Sequence, residues 1–150
     1  MNSTATLNPV PTSVIPGPVY AAAERPRTVN PTIPPALQRA CLAAKVAADN
    51  KGQEVLVLDL RDITPLFDFF VIATGVSRRQ VHTIVEETDA TLRAVGDERM
   101  GVEGYDTSKW VVQDYGDVVV HTFEADTRDY YRLEELWADA PKVEWLDEIE

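Results

Sequence analysis

The stretch from residue 110 to residue 123 constrains the fold more than any other part of this chain. Two apolar runs flank the segment Asp114-Tyr115-Gly116-Asp117, a pattern typical of a β-hairpin with a tight turn. Because side chains alternate along a strand, the first run presents two sets of residues to opposite faces. These sets are Trp110, Val112 and Asp114, and Val111, Gln113 and Tyr115. We therefore expect one face to meet the core and the other to meet solvent or a partner.

The segment before the hairpin begins with a helical pattern and continues with two strand patterns. Apolar residues at helical spacing predict a helix over 36–50, followed by a left-handed cap at Gly52. Residues 55–58 and 69–74 have the composition of buried strands. The second of these is apolar on both faces, so we expect it inside the sheet.

Two further helices are predicted around the hairpin. Ser77 and Gln80 have the spacing of a capping box at the start of a helix that ends at Gly96. After the hairpin, Asp126 is expected to cap a last helix that runs to about Trp137. The order helix, strand, strand, helix, hairpin, helix predicts a single α/β domain with helices packed on a mixed β-sheet.

The two ends of the chain differ in composition from its centre. Eight of the ten prolines lie in residues 1–35, and few large apolar side chains accompany them. Such a segment cannot bury enough surface to offset its ordering entropy. We therefore predict a disordered Pro-rich tail over 1–35 and a folded domain over 36–140. Residues 141–150 are expected to form a weakly ordered acidic end, pinned by Trp145.

The sequence contains no strong targeting signal. A mitochondrial transit peptide is the alternative reading of the tail, but its prolines would break the helix that a transit peptide needs. No apolar run has the length of a signal-peptide core or of a membrane span. These features predict a cytoplasmic protein with no membrane partner.

The charge of the chain is strongly acidic. Residues 36–150 hold 12 Lys and Arg against 24 Asp and Glu, a net charge of −12. Such a surface repels nucleic-acid phosphates, so we expect no direct nucleic-acid contact and favour a basic protein partner. A role of this charge in solubility alone is an equal alternative. The single cysteine, Cys41, excludes an internal disulfide and is expected to pack in the core.

Several motifs occur in one order along the chain. They are Leu58-Asp59-Leu60-Arg61, then residues 69–75 with Ser77, then Glu103-Gly104, then residues 110–123, and finally Arg128 followed by residues 131–137. In this order they resemble the ribosomal silencing factor family, also called the Iojap-related family. The resemblance implies an α/β fold related to the nucleotidyltransferases. It also implies binding to the large ribosomal subunit through its universal L-fourteen protein, which blocks association with the small subunit and represses translation. No catalysis and no cofactor are implied.

The resemblance carries the partner-binding role onto ten residues of this chain. They are Trp110, Asp114, Tyr115, Asp117, His121, Arg128, Tyr131, Leu133, Glu134 and Trp137. Trp110 and Tyr131 are the expected aromatic anchors, whereas Trp137 is expected in the core or at its edge. Because Tyr130 and Tyr131 are neighbours on one helix, at least one of them must be exposed.

Two other functions remain open. A metal-dependent nucleotidyltransferase is the first, because Gly75-Val76-Ser77 loosely resembles the start of such a site. Its carboxylates should be spaced by two on one strand face, but Asp59 and Asp62, like Asp114 and Asp117, are spaced by three. We therefore predict that the chain is not an enzyme. A self-associating module that uses the same apolar surface to form a homodimer is the second alternative.

The two histidines give no metal site from sequence. His82 and Glu86 lie four residues apart on a helix but lack further ligands, so both are expected to face solvent. His121 shares a strand face with Val119 and Phe123 and is expected to be a hydrogen-bonded structural or interface residue.

Overall fold

The computed structural model describes residues 32–148, which form a five-stranded sheet with helices on both faces. The strands are β1 (Gln53–Asp59), β2 (Phe69–Gly75), β3 (Gly101–Glu103), β4 (Trp110–Asp114) and β5 (Val118–Glu124). The helices are α1 (Ala36–Asp49), α2 (Arg78–Ala94), α3 (Ala125–Tyr131), α4 (Leu133–Leu136) and α5 (Trp145–Glu148).

The sheet is mixed, as the sequence predicted. Its strand order is β1-β2-β5-β4-β3, in which β2 and β5 are parallel and the other neighbours are antiparallel. All seven residues of β2 are buried because the strand lies between β1 and β5 and has cover on both faces. The predicted hairpin is β4–β5, and its turn includes Gly116 at a φ of 93°.

Both faces of the hairpin are covered, which corrects the expectation that one face would be open. On one face, Val118 and Val120 pack in a cluster with Ala40 and Ala44 of α1. On the other face the cluster includes Phe70, Trp110, Phe123, Leu133 and Trp137. The difference arises because helices pack on both sides of the sheet, a tertiary arrangement that strand alternation does not reveal.

The helix ends agree with the prediction at α2 and differ at α1. Ser77 is the N-cap of α2, and its hydroxyl accepts a hydrogen bond from the Gln80 backbone N–H at 3.1 Å. After α1 the left-handed residue is Lys51, with a φ of 69°, and not Gly52. Glycine is still needed at position 52 because a Cβ there would lie 2.7 Å from the Ala47 carbonyl oxygen.

The last predicted helix is broken into two short ones. α3 begins after Glu124 without a side-chain cap, so the predicted cap at Asp126 is wrong. Arg132 has a φ of 50° and separates α3 from α4. The break turns the chain so that Leu133 and Trp137 can both reach the aromatic side of the core. Helical propensity alone does not encode this turn.

The acidic C-terminal end, predicted to be weakly ordered, lies along β1. The Trp145 indole N–H donates to the Val55 carbonyl oxygen at 3.3 Å, which is the predicted pin. Among residues 32–148, no helix has both the length and the apolar composition needed to cross a membrane. Of the disordered tail predicted over 1–35, residues 1–31 lie outside the described residues.

Removing residues 1–31 is expected to leave the fold intact. The truncated protein should begin at Thr32, because the Pro34 carbonyl accepts a hydrogen bond from Arg39 at 2.8 Å and Ile33 packs beside Gly96. We expect its melting temperature to stay within about 3 °C of the full chain, a change worth less than about 1 kcal/mol. A thermal melt followed by circular dichroism measures this, and a larger loss would show that the tail packs on the domain.

Candidate partner-binding site

The hairpin places an aromatic cluster on the side of the sheet covered by α3 and α4. The rings of Trp110 and Phe123 stack with centroids 4.8 Å apart, as expected for directly paired residues on β4 and β5. The Trp110 indole N–H donates to Nδ1 of His121 at 3.1 Å. Tyr131 covers this cluster from α3, with its ring 5.0 Å from that of Trp110. The predicted anchor Trp110 is therefore buried beneath Tyr131.

His121 is held in its neutral form by its surroundings. The side chain is fully buried, and this burial lowers the pKa of the imidazole to about 3. Since Nδ1 accepts from Trp110, the neutral ring carries its proton on Nε2. That nitrogen has no hydrogen-bond partner among the described residues, and the Phe70 ring lies 4.5 Å from the imidazole. His121 is thus a structural residue of the cluster.

Arg128 joins three elements beneath the same surface. Its Nη1 donates to the Glu54 carbonyl at 2.7 Å and to the Thr74 hydroxyl at 2.8 Å. Its Nε lies 3.3 Å from Oε2 of Glu134, which is 28% exposed. The guanidinium itself is buried, so it positions Glu134 at the surface and does not reach solvent.

The acidic side chains of the hairpin turn are engaged in hydrogen bonds within the domain. Both carboxylate oxygens of Asp117 accept from Arg39, at 3.0 and 2.7 Å, and Asp97 accepts from the same guanidinium at 2.7 Å. Asp114 accepts from the Gly116 N–H at 2.8 Å. These bonds link α1, the end of α2 and the turn.

Tyr115 is a further internal contact of the turn. Its hydroxyl donates to Asp89 of α2 at 2.8 Å. Burial, together with this bond, raises the pKa of the phenol. The side chain therefore ties the hairpin to α2.

The ten partner-binding residues predicted from the sequence fall into a buried group and a partly exposed group. Six are less than a tenth exposed, namely Trp110, Tyr115, His121, Arg128, Leu133 and Trp137. They shape the surface but do not form its contact area in this conformation. The other four are partly accessible: Asp114, Asp117, Tyr131 and Glu134. Direct contact between these four and a partner stays a prediction.

Two residues outside the predicted set are more exposed than any member of it. Tyr130 is 44% exposed and Leu136 is 66% exposed. Sequence reasoning required one exposed residue of the pair Tyr130 and Tyr131, and Tyr130 is that residue. Leu136 was missed because a continuous helix would have placed it close to Leu133 and Trp137. The break at Arg132 turns it outward instead.

A separate groove lies between α2 and the segment that contains β3. It has a volume of about 610 Å³, and Val85, Asp89, Val102 and Tyr105 are among its lining residues. His82 stacks on Tyr105 with ring centroids 4.2 Å apart and is half-buried, which corrects the expectation that it faces solvent.

Three of the four carboxylates of the nucleotidyltransferase alternative, namely Asp59, Asp114 and Asp117, have other partners. Asp59 accepts from Arg61 at 2.9 and 2.7 Å, and the pKa of this carboxyl is lowered chiefly by that hydrogen bonding. Asp114 and Asp117 are engaged in the turn as described. Within residues 32–148, no group of three or more His, Cys, Asp or Glu side chains could hold a metal ion.

The sequence matches a known family over most of its length. The family model described as ribosomal silencing factor during starvation matches residues 34–150. This chain belongs to the ribosomal silencing factor family. The predicted resemblance is thereby confirmed, and the single α/β domain with a mixed sheet agrees with the solved structures of family members.

Individual relatives of the silencing factor family agree with this assignment. Ribosomal silencing factor RsfS of Halalkalibacterium halodurans is 44% identical over 103 residues, which is 69% of this chain and 88% of that protein. The mouse mitochondrial assembly of ribosomal large subunit protein 1 is 36% identical over 57% of this chain and 39% of its own. A crystal structure of a Chromobacterium violaceum protein has a TM-score of 0.68 and 36% identity, and the match covers 70% of this chain and 88% of that one.

Proposed function

We propose that this chain binds the large ribosomal subunit and prevents its association with the small subunit. The observation that carries the proposal is the exposed apolar surface on α3 and α4, where Tyr130 and Leu136 are accessible. This surface lies directly over the motif residues that the family resemblance singles out. The name of the mouse relative, which refers to assembly of the large ribosomal subunit, supports the same subunit as the target.

The docking surface is defined by Tyr130, Tyr131, Glu134, Glu135 and Leu136. Exposed tyrosines beside apolar and charged side chains are typical of binding hot spots. The Tyr130 and Tyr131 rings are nearly perpendicular to one another with centroids 5.0 Å apart, so they form an edge-to-face aromatic pair at the end of α3.

The charge of this surface favours a basic protein as the partner. Glu134 and Glu135 immediately precede Leu136, and residues 36–150 carry a net charge of −12. The universal L-fourteen protein of the large subunit is the partner that the family resemblance implies. An occupant on that protein would block subunit joining by steric exclusion alone, with no catalysis or cofactor.

Co-sedimentation tests the proposal directly. The protein is mixed with separated large and small subunits and centrifuged through a sucrose gradient. We expect it to travel with the large subunit and to lower the yield of joined ribosomes. Unchanged joining at saturating protein would refute the proposal.

Truncating Tyr130 to alanine is expected to weaken binding without unfolding the protein. An anchor of this kind typically costs about 2 kcal/mol, roughly a thirtyfold loss of affinity. Leu136→Ala should act in the same direction with a smaller effect. Affinity for large subunits and the melting temperature are measured on the same variants.

The matched control is Leu146→Ala. Leu146 is 57% exposed, but it lies on α5, outside the proposed docking surface. Equal effects of Leu136→Ala and Leu146→Ala on binding would place the docking surface elsewhere. If Tyr130→Ala instead lowered the molar mass of the free protein, the surface would be the interface of a homodimer. That outcome would favour the alternative in which the partner is a second copy of this chain.

A further inference from the structure

The helices on one face of the sheet stop short of its β3 edge. On that face α1 packs on Val57 of β1 and Val71 of β2, and α2 packs on Val111 of β4. Packed helices lie roughly 8–10 Å apart and strands about 4.8 Å apart, so two helices cover about four strands. The fifth strand in the order, β3, is left over. All three of its residues are exposed, so no helix within residues 32–148 covers it.

The uncovered strand forms the floor of the groove between α2 and the β3 segment. Val102 pairs with Gln113 on β4, and directly paired residues share a face of the sheet. The Gln113 side chain donates to the Val85 carbonyl of α2 at 3.0 Å, so Val102 also lies on the α2 side. Val102 is 39% exposed, and Met100, two residues earlier, is 64% exposed. The groove therefore has an open, apolar floor.

The charged side chains of the groove are balanced at one end only. Asp89 of α2 lies 2.5 Å from the Arg93 guanidinium and 3.9 Å from that of Arg99, which also lines the groove. One turn earlier on α2, the exposed carboxylate of Glu86 accepts from the hydroxyl of Tyr105, a neutral donor. The charge of Glu86 is therefore unbalanced.

A second lining carboxylate, Asp106, is also exposed. It has a cation nearby, because Arg78 donates to its backbone carbonyl at 3.0 Å. Glu86 is thus the position at which the groove calls for a positive charge.

We propose that this groove binds an amphipathic helix of a partner protein, with apolar side chains on Val102 and Met100 and a lysine or arginine opposite Glu86. Such a helix would lie beside α2 and complete the layer over β3. The net charge of −12 over residues 36–150 attracts a cationic partner at long range. An extended segment paired with the β3 edge is a poorer fit, because a strand of three residues offers few backbone hydrogen bonds.

The groove and the docking surface on α3 and α4 lie on opposite faces of the sheet. Val111 packs on α2, whereas its neighbours Trp110 and Val112 pack in the cluster with Leu133 of α4. The proposed helix site is therefore independent of ribosome binding, and either proposal can fail without the other.

Three synthetic peptides test the site on the full chain. The first is a leucine and lysine peptide of about 18 residues, or five turns, with apolar residues at helical spacing. The second replaces each lysine with glutamate, and the third has the composition of the first in strict alternation, which favours a strand. Binding is mapped by NMR chemical shifts of the labelled protein. We expect only the first peptide to bind, with shifts concentrated on α2 and residues 99–107.

Each other result overturns the proposal. Equal binding of the glutamate peptide would contradict the charge argument, and preference for the alternating peptide would indicate strand pairing at β3. Shifts centred outside the groove would place the contact elsewhere. An absence of binding refutes it too, including the case in which residues 1–31 already occupy the groove.

Two pairs of variants separate binding in the groove from general attraction to an acidic domain. Val102→Thr keeps the side-chain shape but puts a hydroxyl in the apolar floor, and it should weaken binding of the first peptide at least about fivefold. Its control is Val76→Thr, because Val76 is 63% exposed and lies in the β2–α2 connection, outside the groove. Glu86→Gln should weaken binding about threefold, whereas Glu87→Gln, next to it on α2 but outside the lining, should not. Circular dichroism checks that all four variants fold, and equal losses within either pair overturn the proposal.

Discussion

Replacing Arg39 with methionine is expected to lower the free energy of unfolding by about 3–5 kcal/mol, because it breaks a buried ion cluster. The Arg39 side chain is 4% exposed and pairs with both Asp97 and Asp117. Methionine fills a similar volume but leaves two carboxylates without their cation. Urea denaturation of the two proteins at pH 7 measures the difference.

The pH dependence of this difference identifies its cause. Burial raises the pKa of Asp97 above its usual range, even with Arg39 beside it. A carboxyl whose pKa is higher in the folded state destabilises the fold more as the pH rises, and less as it becomes protonated. The hydrogen bond and the charge of Arg39 hold this pKa down, so the pKa of Asp97 should be higher still in Arg39→Met. The deficit of Arg39→Met should therefore shrink as the pH falls towards 4. Lys45→Met is the control, since its pair with Asp49 is exposed and should be worth less than about 1 kcal/mol. A deficit independent of pH would indicate lost packing instead.

Acid is expected to destabilise the protein through His121, and His121→Gln should remove that part of the pH dependence. The pKa of His121 is about 3 in the folded protein and about 6.5 in the unfolded chain. As the pH falls, the imidazole is therefore protonated in the unfolded chain before it is protonated in the folded protein. Stability is therefore full above about pH 6.5 and is lost as the pH falls towards 3. By pH 4.5 the loss from this group is about 2–3 kcal/mol.

Glutamine is the informative replacement because its side-chain oxygen can still accept from the Trp110 indole. The free energy of unfolding of both proteins is measured by denaturant titration between pH 7 and pH 4.5. Carboxylates contribute to both curves, so the difference between the slopes isolates His121. Identical slopes would show that the imidazole reaches water or a counter-charge in the folded state.

Much of the fold could be predicted from local patterns. The alternation and turn of residues 110–123 predicted the hairpin, the apolar run of β2 predicted an interior strand, and Ser77 with Gln80 predicted the start of α2. These features succeed because their causes lie within a few residues of one another. Side-chain periodicity, turn conformation and helix capping are local properties of the backbone.

The break at Arg132 could not be predicted in the same way. Residues 126–137 have no proline or glycine, so propensity favours a continuous helix. The left-handed residue is tolerated because burying Leu133 and Trp137 on the sheet outweighs the strain of about 1–3 kcal/mol. This is a gain from contacts with distant strands.

The same distinction between local and long-range causes applies to the candidate site. The sequence by itself determined the family and the motif residues, and with them the expectation of an acidic, aromatic docking surface. Only the tertiary structure decided which of those residues reach the surface. Trp110 and His121 lie in strands whose two faces are both covered, whereas Tyr130 and Leu136 are exposed by the turn between α3 and α4. Exposure depends on what packs over a residue, and for this hairpin the covering helices come from both ends of the chain.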